Sequence, residues 1–125
     1  KDRVGLPVTT PGHRHIFNQY VIRVAERDRM GTHLSEWGIG TEIYYPVPQH
    51  MQECFRAIEC REGTLPVTEQ AARETIALPI FPELSAAEQR RVVDRIVEFF
   101  ASGVSRKLQP IEAGKPARQA VRRAS

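Results

Sequence analysis

The segment that most limits the possible folds is the amphipathic run that begins at Ser85. Ser85 and Glu88, three residues apart, form a capping box in which each side chain satisfies the other's backbone N–H. Val92, Val93, Ile96, Val97, Phe99 and Phe100 then recur at helical spacing as a wide apolar stripe, and Gly103 closes the run. A helix that is apolar on one side must lay that side on another layer. Each large side chain buried there contributes roughly 1.5–3 kcal/mol.

The chain offers a short sheet for that layer. Residues 15–24, H-I-F-N-Q-Y-V-I-R-V, alternate as a strand, with Ile16, Asn18, Tyr20 and Ile22 on one face. Neither face is cleanly polar, so both are expected to be covered. Residues 27–37 follow as a helix, with Met30, Leu34 and Trp37 turned to the sheet. Residues 64–77 read as another helix, with Pro66 in its first turn and Ala71, Ala72, Thr75 and Ile76 as a close-packing face. Residues 78–82, L-P-I-F-P, are held extended by their prolines. So few strands among helices predict an α+β fold: a small two-layer domain with a short, mostly antiparallel or mixed sheet packed on helices.

The stretch 38–52, G-I-G-T-E-I-Y-Y-P-V-P-Q-H-M-Q, mixes side chains that a core segment has little use for. Gly38 and Gly40 can end a helix and permit a tight turn. Residues 41–45 read as a short strand, and Pro46 and Pro48 then stiffen a loop that presents His50, Met51 and Gln52. Residues 52–58 read as one or two helical turns burying Phe55 and Ile58.

Other chemistries find less support. His13 and His15 with His33 or His50 could approach a zinc ion, but no carboxylate or cysteine stands at a recognised spacing, and no metal is expected. His50 and Cys54 have the spacing of a base and a thiol, yet nothing nearby would lower the thiol pKa, and a buried Cys54 is expected. The eight glycines form no phosphate-binding loop. Two cysteines make no disulfide framework, which favours a reducing, cytoplasmic setting. No apolar run of about 18 residues predicts a membrane span.

Charge is unevenly spread. Residues 104–125 hold six basic side chains and one acid, whereas the other residues hold 12 basic and 14 acidic. The basic tail is expected to be a solvated terminus rather than a nucleic-acid or membrane contact. The division expected is a leading loop over 1–14 at the edge of a longer protein, one domain over 15–103, and a flexible tail over 104–125. Lysine occurs only as Lys1, Lys107 and Lys115, so the body of the domain offers no amine for Schiff-base chemistry.

Four blocks together resemble the C-terminal domain of the DegT/DnrJ/EryC1/StrS aminotransferases. They are H-I-F-N-Q-Y-V-I-R-V, R-D-R-M-G-T-H-L-S-E-W-G-I-G-T-E-I-Y-Y-P-V-P-Q-H-M-Q, L-P-V-T-E-Q-A-A-R-E-T-I-A-L-P-I-F-P-E-L-S and V-V-D-R-I-V-E-F-F, spanning 15–100 in order. The resemblance implies the small domain of the aspartate aminotransferase-like fold, in homodimeric enzymes that use pyridoxal phosphate (PLP). These move an amino group from L-glutamate to a nucleotide-linked keto-sugar, and their cofactor is held mainly by a large domain that this chain lacks. It implies no catalytic residue in this chain and a substrate-facing set of Tyr44, Tyr45, His50 and Gln52. Tyr45 matches the tyrosine of the family's His-Tyr-Pro, Tyr44 departs from its histidine, and His50 and Gln52 match P-x-H-x-Q. Glu69 matches an acid after the family's Pro-Val and reads as a helix-start charge. The run I-Y-Y-P-V-P-Q-H is closer to members acting on 3-keto than on 4-keto sugars. Two alternatives remain: a regulatory or binding module of the same fold, and an aminotransferase-fold sugar dehydratase. On the aminotransferase reading Tyr45 and His50 should not be sealed inside, and an apolar face should be left bare.

Overall fold

A computed structural model describes residues 3–57, 61–103 and 107–110. The sheet has three antiparallel strands in the order β1 (Val4–Gly5), β2 (Tyr20–Val24), β3 (Thr75–Leu78). Val4 pairs with Val24 on one side of β2, and Ile22 pairs with Ile76 on the other. Helix α1 (Arg27–Glu36) and helix α3 (Ala86–Ala101) pack together on one sheet face. Ile22, Val24, Met30, Leu34, Ile39, Ile76, Val92 and Phe99 form the core between them. The architecture is the expected α+β one. Among the described residues no helix is long and apolar enough to cross a membrane.

The capping box forms as read. Ser85 N–H donates to Glu88 Oε2 at 2.8 Å, and Glu88 N–H donates to Ser85 Oγ at 3.3 Å. Only part of the stripe is covered: Val92 and Phe99 are buried, whereas Val93 and Val97 are exposed. Helix α1 ends in a Schellman motif, with Ile39 N–H donating to Leu34 O and Gly38 N–H to Ser35 O. Gly38 has φ of +69°, and the buried Leu34 and Ile39 supply the apolar contact that accompanies this stop. Trp37 does not face the sheet. It is half-exposed, and the Arg95 guanidinium lies 4.1 Å from its ring centroid, a cation–π contact across α1 and α3.

Several boundaries differ from the sequence reading. The strand expected over 15–24 starts only at Tyr20. Phe17 has φ of +49°, and its N–H donates to His15 Nδ1 at 2.9 Å, so a compact turn replaces the extended start. Helix α2 (Pro66–Glu74) ends before Thr75, and Thr75–Leu78 is strand rather than helix. The strand expected over 41–45 is reduced to one bridge, Glu42 with Ala77. Of the one or two helical turns expected over 52–58, a single 3-10 turn, Glu53–Phe55, falls in that range, another (Gln49–Met51) precedes it, and Phe55 stays partly exposed. Ile58, Cys60 and most of the tail lie outside the described residues. Cys54 is exposed, since its short 3-10 turn lies over no core.

Candidate functional site

The face of β2 opposite the core carries Val21 and Arg23. Arg23 is tied down by Glu74 at the end of α2, with Nη2 to Oε2 at 2.5 Å. Beside it, α2 and the segment 44–55 enclose an open groove of about 730 Å³. Its floor includes Val21, one wall is Thr68, Ala71 and Thr75, and the other is Tyr45, Pro48 and His50. Of the face expected to serve close packing, Ala72 and Ile76 are buried, whereas Ala71 and Thr75 border the groove and leave room.

Chain punctuation delivers the far wall. The Schellman stop turns the chain at Gly38, Glu42 and Ala77 exchange backbone hydrogen bonds at 2.8 and 3.2 Å, and the prolines carry it outward. Tyr44 and Tyr45 are consequently exposed, at 49% and 66%. Tyr45 is shared: it lines the main groove, and with Tyr44, Met51 and Gln52 it also lines a smaller hollow of about 420 Å³. Two of the four expected site residues, Tyr45 and His50, therefore meet at the groove, while Tyr44 and Gln52 gather behind it.

His50 is placed differently from the sequence reading. Its side chain is only 7% exposed, and Nε2 lies 3.1 Å from Glu69 Oε1. Nδ1 is buried and bonds to no described residue. Glu69 is likewise more than a helix-start charge. Its carboxylate is buried and accepts the Gly63 N–H at 2.9 Å on both oxygens and the Leu65 N–H at 3.2 Å on Oε1. The Gly63 amide above all, with help from Leu65 and His50, lowers the Glu69 pKa against the opposing effect of burial. Gly63 adopts φ of +86°, a conformation that suits glycine. Nothing in the spacing of His50 and Glu69 announces this pair. The only signal was an acid at the start of a helix.

The groove can do certain things chemically. The Tyr45 phenol offers a donor and an acceptor to hydroxyl or phosphate oxygens over a largely apolar lining, the usual composition of a small-ligand site, while the His50 imidazole braces the wall with Nε2 held by Glu69. It contains no lysine, so its own side chains give PLP no Schiff-base anchor. Among the described residues no group of three or more His, Cys, Asp or Glu is placed to hold a metal ion.

The family model for the DegT/DnrJ/EryC1/StrS aminotransferases matches residues 2–97. The chain belongs to this family. A family relative, the pleiotropic regulatory protein of Geobacillus stearothermophilus, is 44% identical over 99 residues, covering 79% of this chain and 27% of that protein. Another, dTDP-3-amino-3,4,6-trideoxy-alpha-D-glucose transaminase of Streptomyces venezuelae, is 36% identical over 96 residues, covering 77% and 25%. The crystal structure of S. venezuelae DesV in complex with a ketimine intermediate is similar with a TM-score of 0.74 and 36% identity, over 78% of this chain and 26% of that one. The structure of Bacillus subtilis NtdA with bound cofactor PMP is similar with a TM-score of 0.61 and 25% identity, over 78% and 23%. The chain thus spans about a quarter of the length of the family relatives it matches.

Proposed function

We propose that the protein carrying this chain is a PLP-dependent aminotransferase that moves an amino group from L-glutamate to C3 of a nucleotide-linked 3-keto-sugar. On this reading residues 15–103 are its small domain, and the intact enzyme is a cytoplasmic homodimer. The observation that carries the proposal is the likeness of the fold, over 78% of this chain, to a protein captured with a ketimine intermediate. Relatives named as 3-amino-sugar transaminases support the position of transfer.

PLP supplies the electron sink for amino transfer when bound. The residues here do not fit its covalent attachment, because the groove has no amine. The cofactor's lysine is assigned to the rest of the protein. What this chain contributes is binding and orientation. Tyr45 offers a phenol at the rim, Tyr44 and Gln52 add polar groups behind it, and the apolar floor excludes water from the sugar face.

A second reading, a regulatory module, is favoured by the 44% identity to a protein named as a pleiotropic regulator. One experiment separates them. The full-length protein is purified with PLP, scanned for an imine band that borohydride removes, then incubated with L-glutamate and a dTDP-linked 3-keto-sugar. An imine band and a dTDP-amino-sugar by mass spectrometry support the enzyme. A protein that takes up no PLP and forms no amine overturns it in favour of the regulator. The 1–125 fragment alone should show no imine band, and a stoichiometric, borohydride-sensitive band would refute the assignment of the lysine elsewhere.

A further inference from the structure

We propose that Glu69 is a positioning residue: its carboxylate holds His50 by Nε2–H and, through His50, fixes the 44–52 segment as the far wall of the sugar-binding groove. Among the described residues, the contact of His50 Nε2 with Glu69 Oε1 at 3.1 Å is the side-chain hydrogen bond that ties this segment to α2. It lies beneath the groove, and both side chains are more than nine-tenths buried. A buried carboxylate is costly unless it is satisfied. Here the Gly63 and Leu65 amides and the imidazole satisfy it together, so three segments converge on one group.

The arrangement dictates a tautomer. An ionised carboxylate only accepts, so Nε2 must donate. Neutral His50 therefore carries its proton on Nε2 and keeps Nδ1 as a lone pair. With Nε2 held, the imidazole, Pro48 and Tyr45 stay in register opposite Thr68 and Ala71. Replacing Glu69 by glutamine keeps the shape and brings in an NH2 group. The Leu65 and Gly63 amides keep the carboxamide oxygen at the Oε1 position, where it still accepts from His50 Nε2–H, and the NH2 takes the Oε2 position; His50 keeps its tautomer but its acceptor loses the negative charge.

The proposal rests on the aminotransferase reading for what the groove receives, but its test does not depend on turnover. The full-length protein is labelled with [15N]histidine, and His50 is assigned by its loss in His50→Asn. Wild type and E69Q should both show His50 protonated at Nε2, with the Nε2 resonance moved in E69Q by the weaker, neutral acceptor. Calorimetric affinity for dTDP-glucose, a non-reacting probe, should weaken by about tenfold in E69Q, the scale of the difference between a charge-assisted and a neutral hydrogen bond. If the enzyme turns over, KM for the keto-sugar should rise while kcat stays within about twofold. A wild-type Nδ1–H tautomer overturns the proposal even if E69Q does not fold, and so does E69Q with unchanged dTDP-glucose affinity. Loss of transamination in wild type itself would refute the function proposed above while leaving the tautomer and affinity results to decide this one.

Discussion

The Arg27 guanidinium donates from Nη1 to the carbonyl of Ala72 at 2.9 Å, so the first residue of α1 closes the last turn of α2. The same nitrogen reaches Thr75 O at 3.2 Å, while the Thr75 hydroxyl takes Ala71 O at 2.8 Å. Two of the end carbonyls of α2, those of Ala71 and Ala72, are thus satisfied by side chains, and a cation sits at the negative end of the helix.

Arg27→Ala should destabilise the fold by about 2 kcal/mol, the cost of losing charge-assisted bonds to buried carbonyls. Arg27→Lys should recover less than half of that, because an ammonium lacks the planar fork that serves two acceptors. Urea unfolding midpoints check both.

Gly38→Ala should cost about 1–2 kcal/mol, since a Cβ is disfavoured in the left-handed conformation. The loss comes from strain alone: a Cβ there would meet no heavy atom within 4 Å. Thermal unfolding of the variant measures it, and an unchanged midpoint would contradict the observed φ.

Acid should loosen the start of α3. The Ser85 hydroxyl, then its amide, lower the Glu88 pKa. A lowered folded value means the stabilisation is fully present above the ordinary glutamate pKa and fades as pH falls through the folded one. Ser85→Ala should cost about 1 kcal/mol at neutral pH and less in acid, where the bonds to the Glu88 carboxylate weaken but the cap bond from the Glu88 N–H to Ser85 Oγ persists. Unfolding at several pH values below neutrality tests this, and an equal cost at every pH would contradict it.

Met30→Ala should be among the most damaging core changes, about 2–5 kcal/mol, because Met30 is fully buried between α1, the sheet and α3. Chemical denaturation reads the loss, and a cost below about 1 kcal/mol would mean the cavity collapses freely.

The elements legible from the sequence were those with local punctuation. Ser85 with Glu88 marks α3, and Gly38 marks the end of α1. The errors arose where a distant residue decides the outcome. Ala71, Ala72, Thr75 and Ile76 keep a helical period, yet Arg27 ends that helix and β2 recruits Thr75–Leu78 into the sheet. Strand β1 has two residues and no period to detect. At the groove, the 44–52 segment stood out by its composition and prolines. Its mooring did not, because His50 and Glu69 meet only once the segment folds back over α2.

Strand β2 is the central strand, and Tyr20 meets Leu78 across more than fifty residues of chain. Entropy lost in closing so long a loop precedes any reward from the pairing, giving a high contact order and slow assembly. During synthesis one edge of Tyr20–Val24 therefore waits unpaired until Leu78 has left the ribosome. In that interval the nascent protein is most exposed to aggregation, and a chaperone has most to protect.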